Sequence, residues 1–235
     1  MRSQPIDKTV PRSWAVILCL AVVVGVSLSA VLTPSAPARG GPRPSWAAGV
    51  APAVARTRLD RLSTVEPAFE IAYDRTRDFG TAWADVDDNG CDTRDDILHR
   101  DLRAIRARAG TGGCVVVSGS LVDPYTGATL AFSKSDASAV QIDHVVPLHA
   151  AWILGAWRWT PELRLAFAND PRNLVAVDGP SNQDKGDRLA DRWRPENPRI
   201  HCVYAIDTVV VHAAYHLGVT RGERRALQSM LAGCD

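Results

Sequence analysis

Val140-Gln141-Ile142-Asp143-His144-Val145-Val146-Pro147, Asn173-Leu174-Val175-Ala176-Val177-Asp178 and Ser181-Asn182-Gln183-Asp184-Lys185-Gly186-Asp187 are the three stretches on which the reading of this chain turns. The first two are short apolar runs, one stopped by Pro147 and the other by Asp178-Gly179-Pro180, the pattern of strands bounded by turn residues. The third is polar throughout and begins behind that turn, as the start of a helix does. Strand, strand and helix would thus carry His144, Asn173 and Asn182 in that order.

Outward from this unit the chain reads as α+β. Thr93 and Asp96 have the form of a capping box with Asp in place of Glu, and predict a helix to about Ala109 with Ile97, Leu98, Leu102 and Ile105 on one side. Val115 to Val117, Thr129 to Phe132 and Val140 to Val146 read as strands, with Asp123-Pro124-Tyr125-Thr126-Gly127 as a turn. Helices are expected after Pro147, over Pro161 to Ala168, from Ser181 to Ala190 and from Arg199 to Leu217, and Thr220 with Glu223 caps a last one. Trp152, Trp157 and Trp159 fall between the two central strands, where the insertion needs apolar packing.

Composition is ordinary for a globular chain: 235 residues, 46% hydrophobic, 23% charged, 27 Lys+Arg against 26 Asp+Glu. This argues against wholesale disorder, collagen-like repeats and multi-span membrane folds. Near-neutral charge also argues against a polybasic nucleic-acid binder that works by neutralising many phosphates. Lys8, Lys134 and Lys185 are the only lysines, and the other 24 basic residues are arginines, which makes Lys185 conspicuous.

The N-terminus reads as an export signal. Arg2, Lys8 and Arg12 precede an uncharged run of 19 residues from Trp14 to Leu32, followed by Ala36-Pro37-Ala38. The run is longer than the usual ~7–15 residues of a signal peptide and would nearly cross a ~30 Å hydrocarbon core. Residues 1–38 are therefore a signal peptide or a signal anchor, with residues 14–32 the membrane contact if the run is uncleaved. Residues 39–55, rich in Pro and Ala, read as a linker, and residues 56–235 as one domain, secreted or held outside the membrane and monomeric. Beyond Cys19 the cysteines are Cys91, Cys114, Cys202 and Cys234, with no C-x-x-C spacing. An even number in an exported chain favours two disulfides. Sequence leaves the pairing open, and local closure favours Cys91 with Cys114 and Cys202 with Cys234, each worth roughly 3 kcal/mol by loop entropy.

Asp143-His144, Asn173 and Asn182 in this order, flanked by Asp85 to Ile97, the Asp-Pro-Tyr-Thr-Gly turn and Phe167-Ala168-Asn169-Asp170-Pro171, resemble the His-Asn-His (HNH) nucleases. The closer resemblance is to the branch related to the C-terminal domain of GmrSD-type restriction endonucleases, with exported actinobacterial members. It covers about residues 56–235 and implies a ββα-metal core with additional helices. It also implies a metal-dependent endonuclease acting on the phosphodiester bonds of DNA, with RNA as the other substrate.

The residue types suit hydrolysis by water, which needs a base and a cation at the phosphate. His144 takes the role of base by resemblance. Asp143 and Asn182 offer hard oxygens to one divalent metal, Mg²⁺ in the first place and Mn²⁺ or another transition metal otherwise. Asn173 resembles the middle Asn that braces the loop, and Lys185 the basic residue that contacts the scissile phosphate. Asp187 could hold Lys185 or support the metal's outer shell. The third position is Asn182 and not His, a departure from the family name. Arg158, Arg172, Arg188, Arg192 and Arg194 are candidates for gripping substrate.

A second constellation, Asp85-Val86-Asp87-Asp88-Asn89-Gly90 with Asp96, matches the start of a calcium loop with oxygens from Asp85, Asp87, Asn89 and Asp96. Position 12 is Asp and not the bidentate Glu, so an Asx-rich turn capping the helix competes with a structural Ca²⁺. His212 and His216 stand at i, i+4 without the Glu of a zinc-protease helix and read as helix-face residues. The rival function from another class is a catalytically silent, calcium-stabilised surface-binding module. Residues 56–235 carry 22 basic and 25 acidic residues, and seven of those acids lie between Asp85 and Asp101, away in sequence from the proposed cleft.

Overall fold

In the computed structural model residues 49–234 are described, and they lie within one structural unit. The signal segment of residues 1–38 falls outside them, as does the linker up to residue 48. No helix among the described residues is long and apolar enough to cross a membrane.

The elements run α1 (Pro52–Arg61), α2 (Arg75–Phe79), α3 (Thr93–Asp101), β1 (Arg103–Ala107), β2 (Val116–Val122), β3 (Thr129–Ser133), β4 (Val140–His144), α4 (Leu148–Ile153), α5 (Pro161–Ala168), β5 (Leu174–Asp178), α6 (Gly179–Lys185), α7 (His201–Ala214) and α8 (Arg221–Ala232). β1, β2 and β3 form one antiparallel sheet in that order, and β4 pairs antiparallel with β5 in a second sheet of two strands. The fold is α+β, and both disulfides are present, Cys91–Cys114 and Cys202–Cys234.

The small sheet carries the architecture because both its faces are buried. Successive side chains of a strand point to opposite faces. On β5, Val175 and Val177 join a cluster with Leu59, Tyr204, Val209 and Leu227 from α1, α7 and α8, while Leu174 and Ala176 join Ile97, Leu98, Val116 and Phe132 on the side of α3 and the larger sheet. A third cluster centres on Phe79, Trp152 and Phe167, so Trp152 is indeed core, with Trp157 and Trp159 packed against it. A two-stranded ribbon is marginal on its own, and here it is packed between two cores. Its outer edge ends in side chains: Asp101 accepts from the Ala176 amide at 2.9 Å, Arg100 donates to the Leu174 carbonyl at 2.7 Å, and Asp123 accepts from the Asp178 amide at 2.9 Å.

Several boundaries differ from expectation. The helix that begins at Thr93 stops at Asp101, and Ile105 lies in β1. Leu102 instead packs against β2, where a Cβ on Gly119 would sit 3.1 Å from its Cδ1. The cap of α3 is Asp92, which accepts from the Asp95 amide, while the Thr93 hydroxyl donates to the Ala84 carbonyl. The folded domain begins before residue 56, because α1 starts at Pro52 and buries Ala55 and Leu59 completely. The polar helix after β5 is shorter than Ser181 to Ala190: α6 starts at Gly179, capped by Asp178, and ends at Lys185 before Gly186, whose φ is +54°. Thr220 caps α8 as expected, accepting from the Glu223 amide.

Candidate active site

β4 alternates, so its last two residues face opposite ways. His144 pairs with Leu174 and Asp143 with Val175 across the ribbon. Asp143 enters the α7 side, where the Tyr125 hydroxyl donates to its Oδ2 at 2.5 Å, and Lys185 Nζ lies 2.9 and 2.7 Å from its two oxygens. His144 emerges on the other side, beside the indole of Trp83, whose plane lies 16° from the imidazole's at 6.3 Å. α6 follows β5 directly. A Cβ at Gly179 would lie 2.0 Å from the Ser138 carbonyl oxygen, so glycine is what lets α6 start close enough to set Asn182 beside β4.

A cleft of about 380 Å³ brings Asp143, His144 and Asn182 together, with Trp83, Tyr73, Arg75, His149 and Asp187 on its walls. His144 Nε2 donates to the Ala168 carbonyl at 2.8 Å. A carbonyl only accepts, so Nε2 carries the proton and Nδ1 is the unprotonated nitrogen. Burial, and after it the charges of Arg75 and Lys185, bring the His144 pKa down to about 4 against the pull of the Ala168 carbonyl. The imidazole is neutral at physiological pH.

Asn173 does not reach the cleft. It is fully buried, and its side chain accepts from the Val146 amide at 2.8 Å and donates to the Val146 carbonyl at 3.2 Å, which ties the turn after His144 to β5. Asn182 donates through Nδ2 to Gln141 Oε1 at 2.9 Å, and that leaves its Oδ1 for the cleft. Lys185 departs from expectation. It has no exposed surface, and its ammonium is spent on Asp143 and on the His144 carbonyl at 2.7 Å. Burial lowers its pKa, partly offset by Asp143. A lysine so enclosed holds the strand end in place and has no reach to a phosphate. Asp187 does not hold it either; Asp187 Oδ2 pairs with His149 Nδ1 at 2.5 Å, and the His149 ring stacks on Tyr73 at 4.9 Å.

The donors suit a water-rich divalent ion better than a dehydrated one. Among the described residues Asn182 Oδ1 makes no hydrogen bond, and Asp143 keeps one of its about four acceptor sites after Lys185 and Tyr125 are served. Two protein oxygens with the remaining positions left to water and substrate is the manner of Mg²⁺. Among the described residues, no group of three or more His, Cys, Asp or Glu is arranged to hold a metal ion.

In the acidic loop the Asn89 amide nitrogen occupies the centre, donating to Asp87 at 3.1 Å and to Asp96 at 3.2 Å, while Asp85 accepts from the Asn89 and Gly90 amides. A calcium ion there would have to displace that amide.

None of the five arginines singled out from sequence lines the His144 cleft. Arg172 pairs with Asp170 and Arg158 lies over Trp157, while Arg188, Arg192 and Arg194 line a separate open groove beside Asp184 and Asp191. Tyr73, Arg75 and Trp83 were missed because they stand far upstream in a stretch with no periodic pattern. His212 is a helix-face residue of α7, on its buried side: it is fully enclosed, hydrogen-bonded through Nδ1 to the Gly218 carbonyl at 2.9 Å, and 3.4 Å from Glu223.

A family model described as the C-terminal domain of GmrSD restriction endonucleases matches residues 92–230. A protein of Arthroderma benhamiae described as an uncharacterized secreted protein is 42% identical over 146 residues, 61% of this chain and 68% of that one. That relative is fungal, where the resemblance had pointed to actinobacterial members. No solved structure matches the chain.

Proposed function

Because the chain belongs to the family of the GmrSD restriction endonuclease C-terminal domain, we propose that it is an exported, metal-dependent endonuclease of HNH type that hydrolyses phosphodiester bonds of DNA, with β4, β5 and α6 as its ββα-metal core. The observation that carries this reading is the His144–Ala168 hydrogen bond, since it fixes the tautomer in which Nδ1 is the free base. His144 Nδ1 takes a proton from a water molecule as the water oxygen attacks phosphorus, and the imidazole carries that proton while the bond to the leaving oxygen breaks. Asn173 keeps His144 in register by holding Val146, and Lys185 keeps Asp143 from swinging out of the strand end. A divalent ion, Mg²⁺ before Mn²⁺ or another transition metal, held by Asp143 and Asn182, would supply charge neutralisation at the phosphate and the leaving oxygen. Two disulfides and the secreted description of the Arthroderma relative support export.

The test is nicking of supercoiled plasmid with Mg²⁺ or with EDTA by the wild type and by His144→Ala. Metal-dependent nicking that drops at least ~100-fold in His144→Ala is expected for loss of a general base. Equal nicking by both proteins refutes the mechanism. RNA offered in parallel decides between the two nucleic acids.

A further inference from the structure

The proposed reaction needs a cation on the scissile phosphate, and Lys185 is locked away from it. The cleft has another. Arg75 lines it together with Asp143, His144 and Asn182, is half-buried, and among the described residues makes neither a hydrogen bond nor an ion pair. Its neighbours in sequence show what ordinary arginines of this segment do: Arg77 forks onto Asp78 at 2.7 and 2.8 Å.

The segment that presents Arg75 is fixed on both sides. Behind it, Phe79 is buried among Trp152 and Phe167, and Asp74 caps α2 by accepting from the Arg77 amide at 2.8 Å. Before it, Tyr73 stacks on His149, itself held by Asp187. A guanidinium that is positioned by its backbone, partly desolvated and left without a carboxylate is prepared for an anionic partner, and its planar fork of donors matches two phosphate oxygens.

We propose that Arg75 is the residue that binds the scissile phosphate, in the place expected of Lys185. This rests on the nuclease reading. It also means that the site draws its phosphate ligand from upstream of residues 92–230, the span that the family model matches.

The test is equilibrium binding of a short fluorescein-labelled DNA duplex in EDTA, followed by anisotropy across a salt series, for wild type, Arg75→Ala and Arg75→Lys. Arg75→Ala should bind about 10-fold more weakly, with a salt slope shallower by about 0.9, the loss of one phosphate contact. Arg75→Lys should keep the slope and recover part of the affinity, because it keeps the charge and loses the fork. Thermal melting of Arg75→Ala should stay close to wild type, since no hydrogen bond or ion pair among the described residues is removed. Equal affinity and equal slope for wild type and Arg75→Ala, with a wild type that nicks plasmid in Mg²⁺, would overturn the Arg75 assignment and leave the nuclease reading standing. Weakened binding by Arg75→Ala beside a wild type that fails to nick plasmid with any divalent metal would uphold a phosphate site at Arg75 and sink the nuclease reading. A wild type that neither binds nor nicks would sink both.

Discussion

Lys185→Met separates a buried brace from an exposed phosphate contact. The lysine and Asp143 are 0% and 4% exposed, with Nζ 2.7 Å from Oδ2. Methionine keeps most of the stem's volume and removes the charge, which leaves the Asp143 carboxylate buried with only the Tyr125 hydroxyl donating to it. Removing one partner of a buried pair costs about 3–5 kcal/mol. For a domain of this size each kcal/mol lowers the melting temperature by ~2–4 °C, so the drop should be roughly 6–20 °C. The double variant Asp143→Asn with Lys185→Met removes the stranded charge and should recover most of the loss, giving a coupling of at least ~2 kcal/mol in a double-mutant cycle followed by urea unfolding. If Lys185→Met melts within about 2 °C of wild type and instead loses affinity for DNA, the buried-brace account is wrong.

Other outcomes follow from the same geometry. Asn173→Ala strands the Val146 amide and carbonyl and should cost about 2–4 kcal/mol, with nicking reduced even where the protein is fully folded; an unchanged kcat in folded Asn173→Ala would show that the turn after His144 holds itself. Asp207 is buried with Oδ1 unpartnered among the described residues, and burial raises its pKa well above the ordinary carboxylate value. Its stabilising contribution is complete below the unfolded-state value of ~3.9 and is lost as pH climbs towards and through the folded value. Asp207→Asn should therefore melt higher than wild type at pH 8 and by a smaller margin at pH 5, and a gap that does not vary with pH refutes this. His212 works in the same direction: burial lowers its pKa, and Glu223 with the Gly218 and Leu217 backbone more than reverses this. Its contribution is complete below an unfolded value of ~6.5 and fades above the raised folded one, so His212→Gln should lose more stability at pH 6 than at pH 9 in calorimetry. Cys234→Ser opens a bridge spanning 32 residues, worth roughly 3 kcal/mol, and non-reducing scans should show the loss; a melting temperature unchanged by the substitution would mean that α8 is held by packing alone.

What sequence could tell depended on whether the signal was local. Pro161 and Thr160 start α5, Thr220 starts α8, and the apolar runs of β4 and β5 stop at Pro147 and Asp178, all within a few residues of their cause. Ile105 misled because its spacing from Leu98 and Leu102 fits a helix as well as it fits a chain turning into β1; only the partner strand β2, Val116–Val122, decides. The first turn of α1, Pro52 to Ala55, reads as linker because Pro52 and alanines look alike in a tether and in a first helical turn, and only Leu59 meeting α7 and α8 tells them apart. At the site, residue order gave His144, Asn173 and Asn182, but it carried no sign that Asp143 and Lys185 turn inward together. Nor could it bring Arg75, some 70 residues before His144, to the same wall. Those are facts of tertiary packing, for which a single sequence has no period to read.

The side chains that finish the outer edge of β5 bear on how copies of this protein meet. An open strand edge is a template on which another chain can add itself. Here the Leu174 carbonyl and the Ala176 and Asp178 amides along that edge are already committed to Arg100, Asp101 and Asp123. The β5 side of the ribbon that carries His144 is thereby blunted against strand exchange with another copy. Crowding copies together should not convert the hairpin into a growing sheet, so loss of Asp101 or Arg100 would be felt first as self-association and only later as loss of chemistry.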